Sequence, residues 1–242
     1  MRILITNDDG IQGEGLLHLV NWAKKHGEVV VAAPKVEQSA KSHTIEIHKS
    51  FEAKQVEYLP GITAYAVDSS PADCVRMMVL GMKQHFDLVL SGINRGLNVG
   101  SDIMYSGTVA AVFEAAALGL RAIAVSTEPK AISTAWEELD RVWEYFTRHD
   151  LLSKHPIYNV NIPAGAGEIR ITRQGGPYYS DDFLPEENDM YRPKGKPVYA
   201  PTPTENFGTD AVLTNKQISV MPLTIQRVDM EAYKALLPLN AQ

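Results

Sequence analysis

Cysteine is nearly absent: the chain has one, Cys74, in 242 residues. An internal disulfide is therefore excluded, and a reducing, cytoplasmic location is expected. Long apolar runs are also missing. None approaches the roughly 20 residues that a membrane span needs. The chain opens directly on a strand-like segment, so neither a signal peptide nor a membrane partner is expected. Basic residues are the minority, 23 Lys and Arg against 29 Asp and Glu, for a formal charge of −6. A general nucleic-acid binder would carry a basic face, so that class is set aside. A phosphate-bearing substrate must be drawn in by a local cation, because the field of the whole chain does not attract it. Internal repeats and low-complexity tracts are lacking. What remains, 45% hydrophobic and 21% charged residues, suits a globular protein with one large α/β domain, or one domain with an appended lobe.

The most informative stretch is the first ten residues, Met1-Arg2-Ile3-Leu4-Ile5-Thr6-Asn7-Asp8-Asp9-Gly10. Arg2 to Thr6 is apolar and β-branched without alternation, the pattern of a strand buried on both faces. Two adjacent carboxylates follow, then a glycine that lets the backbone turn. In an open α/β sheet, ligands bind in the crevice beyond the carboxyl ends of the strands. Two acids placed there raise each other's pKa unless a cation joins them. Oxygen donors suit Mg²⁺, Mn²⁺ or Ca²⁺. A metal-dependent site at Asp8 and Asp9 is the expectation.

Helical spacing of apolar residues predicts a helix over Gly15–His26, stopped by Gly27, with His18 and His26 on its solvated parts. Val29–Ala33 reads as a second buried strand, completing a β-α-β unit with a parallel, right-handed crossover. The loop Lys35–His43 then lies on the same sheet edge as Asp8. Thr44–His48 and Thr63–Val67 read as strands of a hairpin-like excursion. Ser70 and Pro71 open a helix as N-cap and N1, running through Cys74 to about Met82. Cys74 there is a small buried side chain, not a nucleophile. Phe86–Ser91 is a third parallel strand, leading into a glycine-rich loop, Gly92–Gly100. Tyr105-Ser106-Gly107-Thr108 precedes a helix over Val109–Leu118 that is apolar nearly all round and must be buried. Its N-terminus, capped by Ser106 or Thr108, offers N–H groups and a positive dipole end to a phosphate. The same two residues would also serve as plain caps. Glu114 in this helix is expected to have a buried structural partner. A strand over Arg121–Ser126, a helix over Thr134–Arg148 and a strand over Ile157–Ile162 complete the alternation by Pro163. Beyond it, Gly, Pro, Tyr and Asp dominate. Short strands are expected at Ile169–Thr172, Pro197–Tyr199 and Gln217–Met221, with a terminal helix over Asp229–Leu237. Residues 1–163 thus read as an α/β core with a mostly parallel sheet flanked by helices. Residues 164–242 read as a β-rich extension that packs on the core or on a partner subunit.

Three loops from three strand ends converge: Asp8 with Asp9, Gln38–His43, and Asn94–Asn98. Ser106–Thr108 adds anion-binding N–H groups. Carboxylates, a hydroxyl and an amide carbonyl make an all-oxygen site, which favours Mg²⁺ or Mn²⁺ over Zn²⁺. A phosphatase with an aspartyl-phosphate intermediate would carry its second Asp two positions on, whereas these acids are adjacent. A zinc amidohydrolase would need histidine ligands close by. A non-catalytic nucleotide sensor using the same phosphate cradle stays open.

The ordered set Asn7-Asp8-Asp9-Gly10, Ser39, Ser91-Gly92-Ile93-Asn94-Arg95-Gly96-Leu97-Asn98 and Tyr105-Ser106-Gly107-Thr108-Val109 resembles the survival protein SurE family of bacterial and archaeal nucleotidases. The resemblance extends to Pro71-Ala72-Asp73-Cys74-Val75, Thr172-Arg173-Gln174 and Gly208-Thr209-Asp210, and spans nearly the whole chain. It implies a Rossmann-like core, a C-terminal region that exchanges between subunits, and a homodimer or homotetramer. It implies hydrolysis of nucleoside 5′- and 3′-monophosphates with one divalent ion per subunit, held by Asp8, Asp9, Ser39 and Asn94. Asn98 and the Ser106-Gly107-Thr108 turn would hold the substrate phosphate. Departures from the family pattern are Gln38, where many relatives carry Arg, and Ser69, where relatives often carry Gly; residues after Gly175 match loosely. The expected chemistry is metal-assisted phosphomonoester hydrolysis, with Gly107 and Thr108 N–H groups on the equatorial oxygens. Asp9 would orient the water. His43 would protonate the leaving alkoxide, or else is a hydrogen-bonded loop residue.

Overall fold

Strand β1 (Arg2–Thr6) runs through the middle of a nine-stranded sheet, and its Ile3, Leu4 and Ile5 are fully buried, as a non-alternating apolar run requires. The structure is a computed structural model and describes residues 1–198 and 209–241. From β1 the chain passes through α1 (Glu14–Ala23) to β2 (Glu28–Pro34), which pairs parallel with β1. An edge unit follows, β3 (Ala53–Val56) antiparallel to β4 (Thr63–Val67), with β4 parallel to β2. Helix α2 (Pro71–Arg76) begins at the Ser70 cap and continues through a π-turn, Met77–Gly81. The chain then crosses back to β5 (Leu88–Arg95) on the other side of β1. Helix α3 (Gly107–Ala117) leads to β6 (Ala122–Thr127), and α4 (Ile132–Ala135), α5 (Leu139–Arg148) and α6 (Leu151–Lys154) lead to β7 (Ile157–Ile162).

Beyond Pro163, β8 (Ile169–Ile171) and a later strand complete the same sheet. Between them lie β9 (Tyr179–Ser180), β10 (Phe183–Pro185), β11 (Tyr191–Pro193) and β12 (Lys196–Pro197), which pair as β9 with β12 and β10 with β11 in an exposed arm. β13 (Ile218–Pro222) lies antiparallel to β7 and parallel to β8, and α7 (Met230–Leu236) is capped by Asp229. The sheet order is β3-β4-β2-β1-β5-β6-β7-β13-β8. The run from β4 to β7 is parallel throughout. Because the chain winds outward from β1 in one direction and then from β5 in the other, the two ends leave a crevice between β1 and β5, where such sheets take their ligands.

The two faces of β1 explain the helix layers. Ile3 and Ile5 pack with Leu16, Leu19 and Phe146, whereas Leu4 packs with Val75, Met78 and Val112. α1 and α5 therefore cover one face, and α2 with α3 the other. Each fully buried aliphatic side chain contributes roughly 1.5–3 kcal/mol relative to exposure. Cys74 is fully buried, and burial pushes its thiol well above the ordinary range, so it is an inert packing residue. Among the described residues, no helix is long and apolar enough to cross a membrane.

Four local expectations differ. Thr44–His48 is not a strand. The Glu46 carboxylate accepts the His48 and Lys49 N–H groups, while Glu46 N–H donates to Asp73, so this backbone is satisfied locally and β3 takes the antiparallel place beside β4. The helix expected over Thr134–Arg148 is broken by a 3₁₀ turn at Trp136–Glu138. His26 is half-buried against Trp22 and Trp143, with ring centroids 4.4 and 5.4 Å away, not solvated. The third parallel strand does not stop at Ser91 but continues to Arg95 through a bulge between Ser91 and Asn94. Gly92 makes the bulge possible: its φ is +136°, and a Cβ there would sit 2.2 Å from the Val125 carbonyl oxygen. Tyr199, in the strand expected at Pro197–Tyr199, and Gly208 lie outside the described residues.

Candidate active site

The end of β1 delivers Asn7, Asp8 and Asp9 to the crevice. Asn7 fixes the turn, donating from Nδ2 to the Gly10 carbonyl (2.9 Å) and accepting the Gly10 N–H (3.2 Å). Asp8 is then buried, and Asp9 half-buried. Thr108 Oγ1 donates to Asp8 Oδ1, and the Arg95 N–H donates to Asp9 Oδ2 at 3.3 Å. Burial pushes the Asp8 carboxyl up to about 6; the Thr108 bond opposes that shift and the Asp9 charge adds to it. Burial also raises Asp9, against the bond and charge of Arg95. Two carboxyls reluctant to ionise, side by side, mark a place where a cation would be welcome.

Helix α3 starts against this pair. Ser106 caps it, accepting the Val109 N–H at 3.1 Å, which leaves Thr108 to bond Asp8. Ser106 and Thr108 therefore divide the two tasks that a cap alone would not distinguish. Gly107 lies so near that a Cβ there would be 2.9 Å from Asp8 Cβ. The helix N-terminus and its dipole thus face the acid pair directly.

A cleft of about 320 Å³ gathers Asp8, Asp9, Ser39, Asn94, Asn98 and Ser106. Ser39 is exposed and its hydroxyl donates to Glu37 (2.6 Å); Asn94 donates from Nδ2 to the Gly96 carbonyl (2.7 Å), and its residue sits on the tail of β5 beyond the bulge. Asn98 is held on every side. Its N–H donates to Asn161 Oδ1, its carbonyl accepts from Asn159 and Asn161, all at 2.8 Å, and its Nδ2 donates to Ser126 at 2.7 Å. Among the described residues, Arg95 is the cation lining the cleft.

His43 is not brought to this cleft. It lines a neighbouring cavity of about 350 Å³, and its Nε2 is 2.9 Å from Glu114 Oε2. The loop is turned that way by bonds at both ends, Ser42 N–H to the Tyr105 carbonyl (3.0 Å) and Ser70 Oγ to the Thr44 carbonyl (2.6 Å). Glu114, as expected, has structural partners: its other oxygen accepts from Arg76 Nη1 at 2.9 Å. Burial works to raise its carboxyl, but the bonds from His43 and Arg76 outweigh that and hold it below the usual range.

Several residues of the site were not singled out from sequence. Asn159 and Asn161 lock Asn98, and their signal was a pair of amides in a strand that otherwise reads as fully buried. Asp210 accepts the Gly100 and Gly175 N–H groups at 2.6 and 2.9 Å and is fully buried; it stands in a matched motif but carried no assigned task. Asp102, Tyr105, Tyr179 and Asp181 also line the cleft.

Fold and site together define a Rossmann-like α/β protein whose crevice at the switch point sets a carboxylate pair against a helix N-terminus. A family model described as "Survival protein SurE" matches residues 3–181. The 5′-nucleotidase SurE of Caldanaerobacter subterraneus subsp. tengcongensis is 39% identical to this chain, over 97% of it and 95% of the relative. That of Herpetosiphon aurantiacus is 35% identical, over 96% and 95%. The crystal structure of the SurE protein from Aquifex aeolicus superposes with a TM-score of 0.80 at 29% identity, covering 99% of this chain and 100% of that one. The chain belongs to the survival protein SurE family.

Proposed function

We propose that this chain is a divalent-metal-dependent phosphomonoesterase that hydrolyses nucleoside 5′- and 3′-monophosphates to nucleoside and phosphate. The observation that carries this reading is the buried Asp8 carboxylate, tied by Thr108 to the start of α3 and paired with Asp9 at the head of the sheet. The relatives' name, 5′-nucleotidase, supports the substrate class. The donor set fits a hard ion, since it offers carboxylates whose ionisation burial holds back, together with a hydroxyl and an amide. Asp8, Asp9, Ser39 and Asn94 would hold one Mg²⁺ or Mn²⁺ per subunit, which when bound neutralises phosphoryl charge and makes a bound water more acidic.

The chain's own groups do the rest. Ser106, the Gly107 N–H group and the second amide hydrogen of Asn98 receive the phosphate, with the α3 dipole favouring its charge, while Thr108, fully buried, acts through Asp8. These donors are fixed before substrate arrives, and each such donor is worth about 3 kcal/mol in a transition state. Asn159 and Asn161 keep Asn98 in place. Asp9, half-buried and open to the cleft, orients the attacking water. His43 is hydrogen-bonded to Glu114 in the adjoining cavity, away from the phosphate.

The same reading makes residues 1–163 the catalytic core and 164–242 an extension that packs on it or on a partner subunit, in a cytoplasmic homodimer or homotetramer. Exposed apolar side chains on the arm and tail, Phe183, Met190, Tyr191 and Leu239, support assembly through that region. Phosphate release from AMP and 3′-AMP, measured with Mg²⁺ or Mn²⁺ and again after EDTA, tests the proposal. Release that depends on the ion is expected. Release that survives chelation removes the metal, and nucleotide binding with no release makes the protein a sensor.

A further inference from the structure

The cleft has an open end that the acid pair does not account for. Tyr105 and Tyr179 line it, 51% and 46% exposed, where Asp8 is 4% exposed. The two tyrosines come from distant parts of the chain: Tyr105 closes the 3₁₀ turn Gly100–Tyr105, and Tyr179 opens β9. One carboxylate brings them to the same wall. Asp102, in the turn with Tyr105, accepts the Tyr178 and Tyr179 N–H groups, both at 2.9 Å. Two further staples hold the same segments together, Asp210 between the Gly100 and Gly175 N–H groups and Ser101 N–H on the Gly176 carbonyl at 3.4 Å. The aromatic wall is therefore built into the backbone.

We infer that Tyr105 and Tyr179 form a stacking platform for the nucleobase of the substrate, and that Asp102 is the residue that positions it. The inference rests on the phosphomonoesterase reading above. A phosphate seated at the start of α3 sends its ester group toward the open end of the cleft. The cleft as a whole carries Glu37, Asp102 and Asp181 besides the acid pair, against Arg95, so it repels a leaving group with further negative charge. A neutral leaving group is retained by contact with the tyrosine rings, and a purine or pyrimidine offers a flat π-face for that contact. Because every base has such a face, the platform selects nucleosides as a class over small polyol phosphates and does not choose among bases.

The experiment compares kcat/KM for AMP with kcat/KM for glycerol 2-phosphate, in the full-length protein with Mn²⁺. In Tyr179→Ala and Tyr105→Ala the ratio should fall by about fivefold to a hundredfold, the loss falling on KM for AMP, and Tyr179→Phe should restore it. Asp102→Ala should lower the ratio as Tyr179→Ala does. Retention of the parent ratio in the alanine variants would overturn the inference, as would a Phe variant no better than Ala. If the parent hydrolyses neither substrate, the enzymatic reading fails by itself. Calorimetric titration with adenosine then decides the platform: binding lost in Tyr179→Ala supports it, and binding equal to the parent's overturns it.

Discussion

Asp8 and Glu114 are both buried acids, and their surroundings treat them oppositely. Asp8 has only neutral donors, the Thr108 hydroxyl and backbone N–H groups, and an acidic neighbour, so burial dominates and its carboxyl is pushed up. Glu114 has an imidazole and a guanidinium within 2.9 Å, and is held down. Asp8→Asn should lower kcat by about a hundredfold or more, the order reported for loss of one preorganised electrostatic group. The same variant should melt no lower than the parent in EDTA, because it removes a charge that the folded state disfavours; a melting scan with a phosphate-release assay checks both. For Glu114 the sign runs the other way. Its folded pKa lies below the ordinary value of 4.5, so its contribution is present above that pH and lost as pH falls through the folded value. Glu114→Gln should therefore cost on the order of 1–3 kcal/mol near pH 7, and the gap to the parent should shrink below about pH 4.5. Thermal melts of both proteins between pH 3 and pH 7 measure that gap.

At the scale of elements, two glycines do different work. Gly92 holds the β5 bulge at a φ that favours glycine, and its missing side chain lets the Val125 carbonyl approach. Gly107 has ordinary helical geometry at the first position of α3, but sits against Asp8 Cβ. Gly107→Ala should therefore leave the helix sound while displacing the acid it faces. A fall of about tenfold to a hundredfold in kcat/KM is expected, as small misplacements of catalytic groups typically produce, with the melting temperature within a few degrees of the parent. A variant with full activity would show that Asp8 has room to move. Gly92→Ala, by contrast, should lower stability and activity together, since the clash there is with backbone of the neighbouring strand.

At the scale of the whole molecule, the sheet does not end where the β/α alternation ends. β13 covers the edge of β7, whose six residues are all buried, and β8 covers β13 in turn. A chain cut after Pro163 would expose that edge, and long apolar edges recruit other chains. Such a truncation should be found in aggregates by size-exclusion chromatography, with the helical signal in circular dichroism diminished. A soluble, monomeric, folded fragment would mean that the extension is dispensable to the core. The stapled segment 175–179 makes the same point for the cleft, because Tyr179 brings part of its lining from beyond Pro163.

The amino-acid sequence by itself determined the central strand, the acid pair that follows it, the Ser70–Pro71 helix start and the buried helix after Ser106. These are local properties: apolar period, capping chemistry and the order of neighbouring residues act within a window of about ten positions. Only the tertiary structure decided the rest of the site. Asn98 is locked by Asn161 across 63 positions, and Gly100 by Asp210 across 110. His43 is spent on Glu114 across 71 positions, not on the cleft. Such partners are set by which strands lie side by side and how the helices pack over them, and no periodicity along the chain records that.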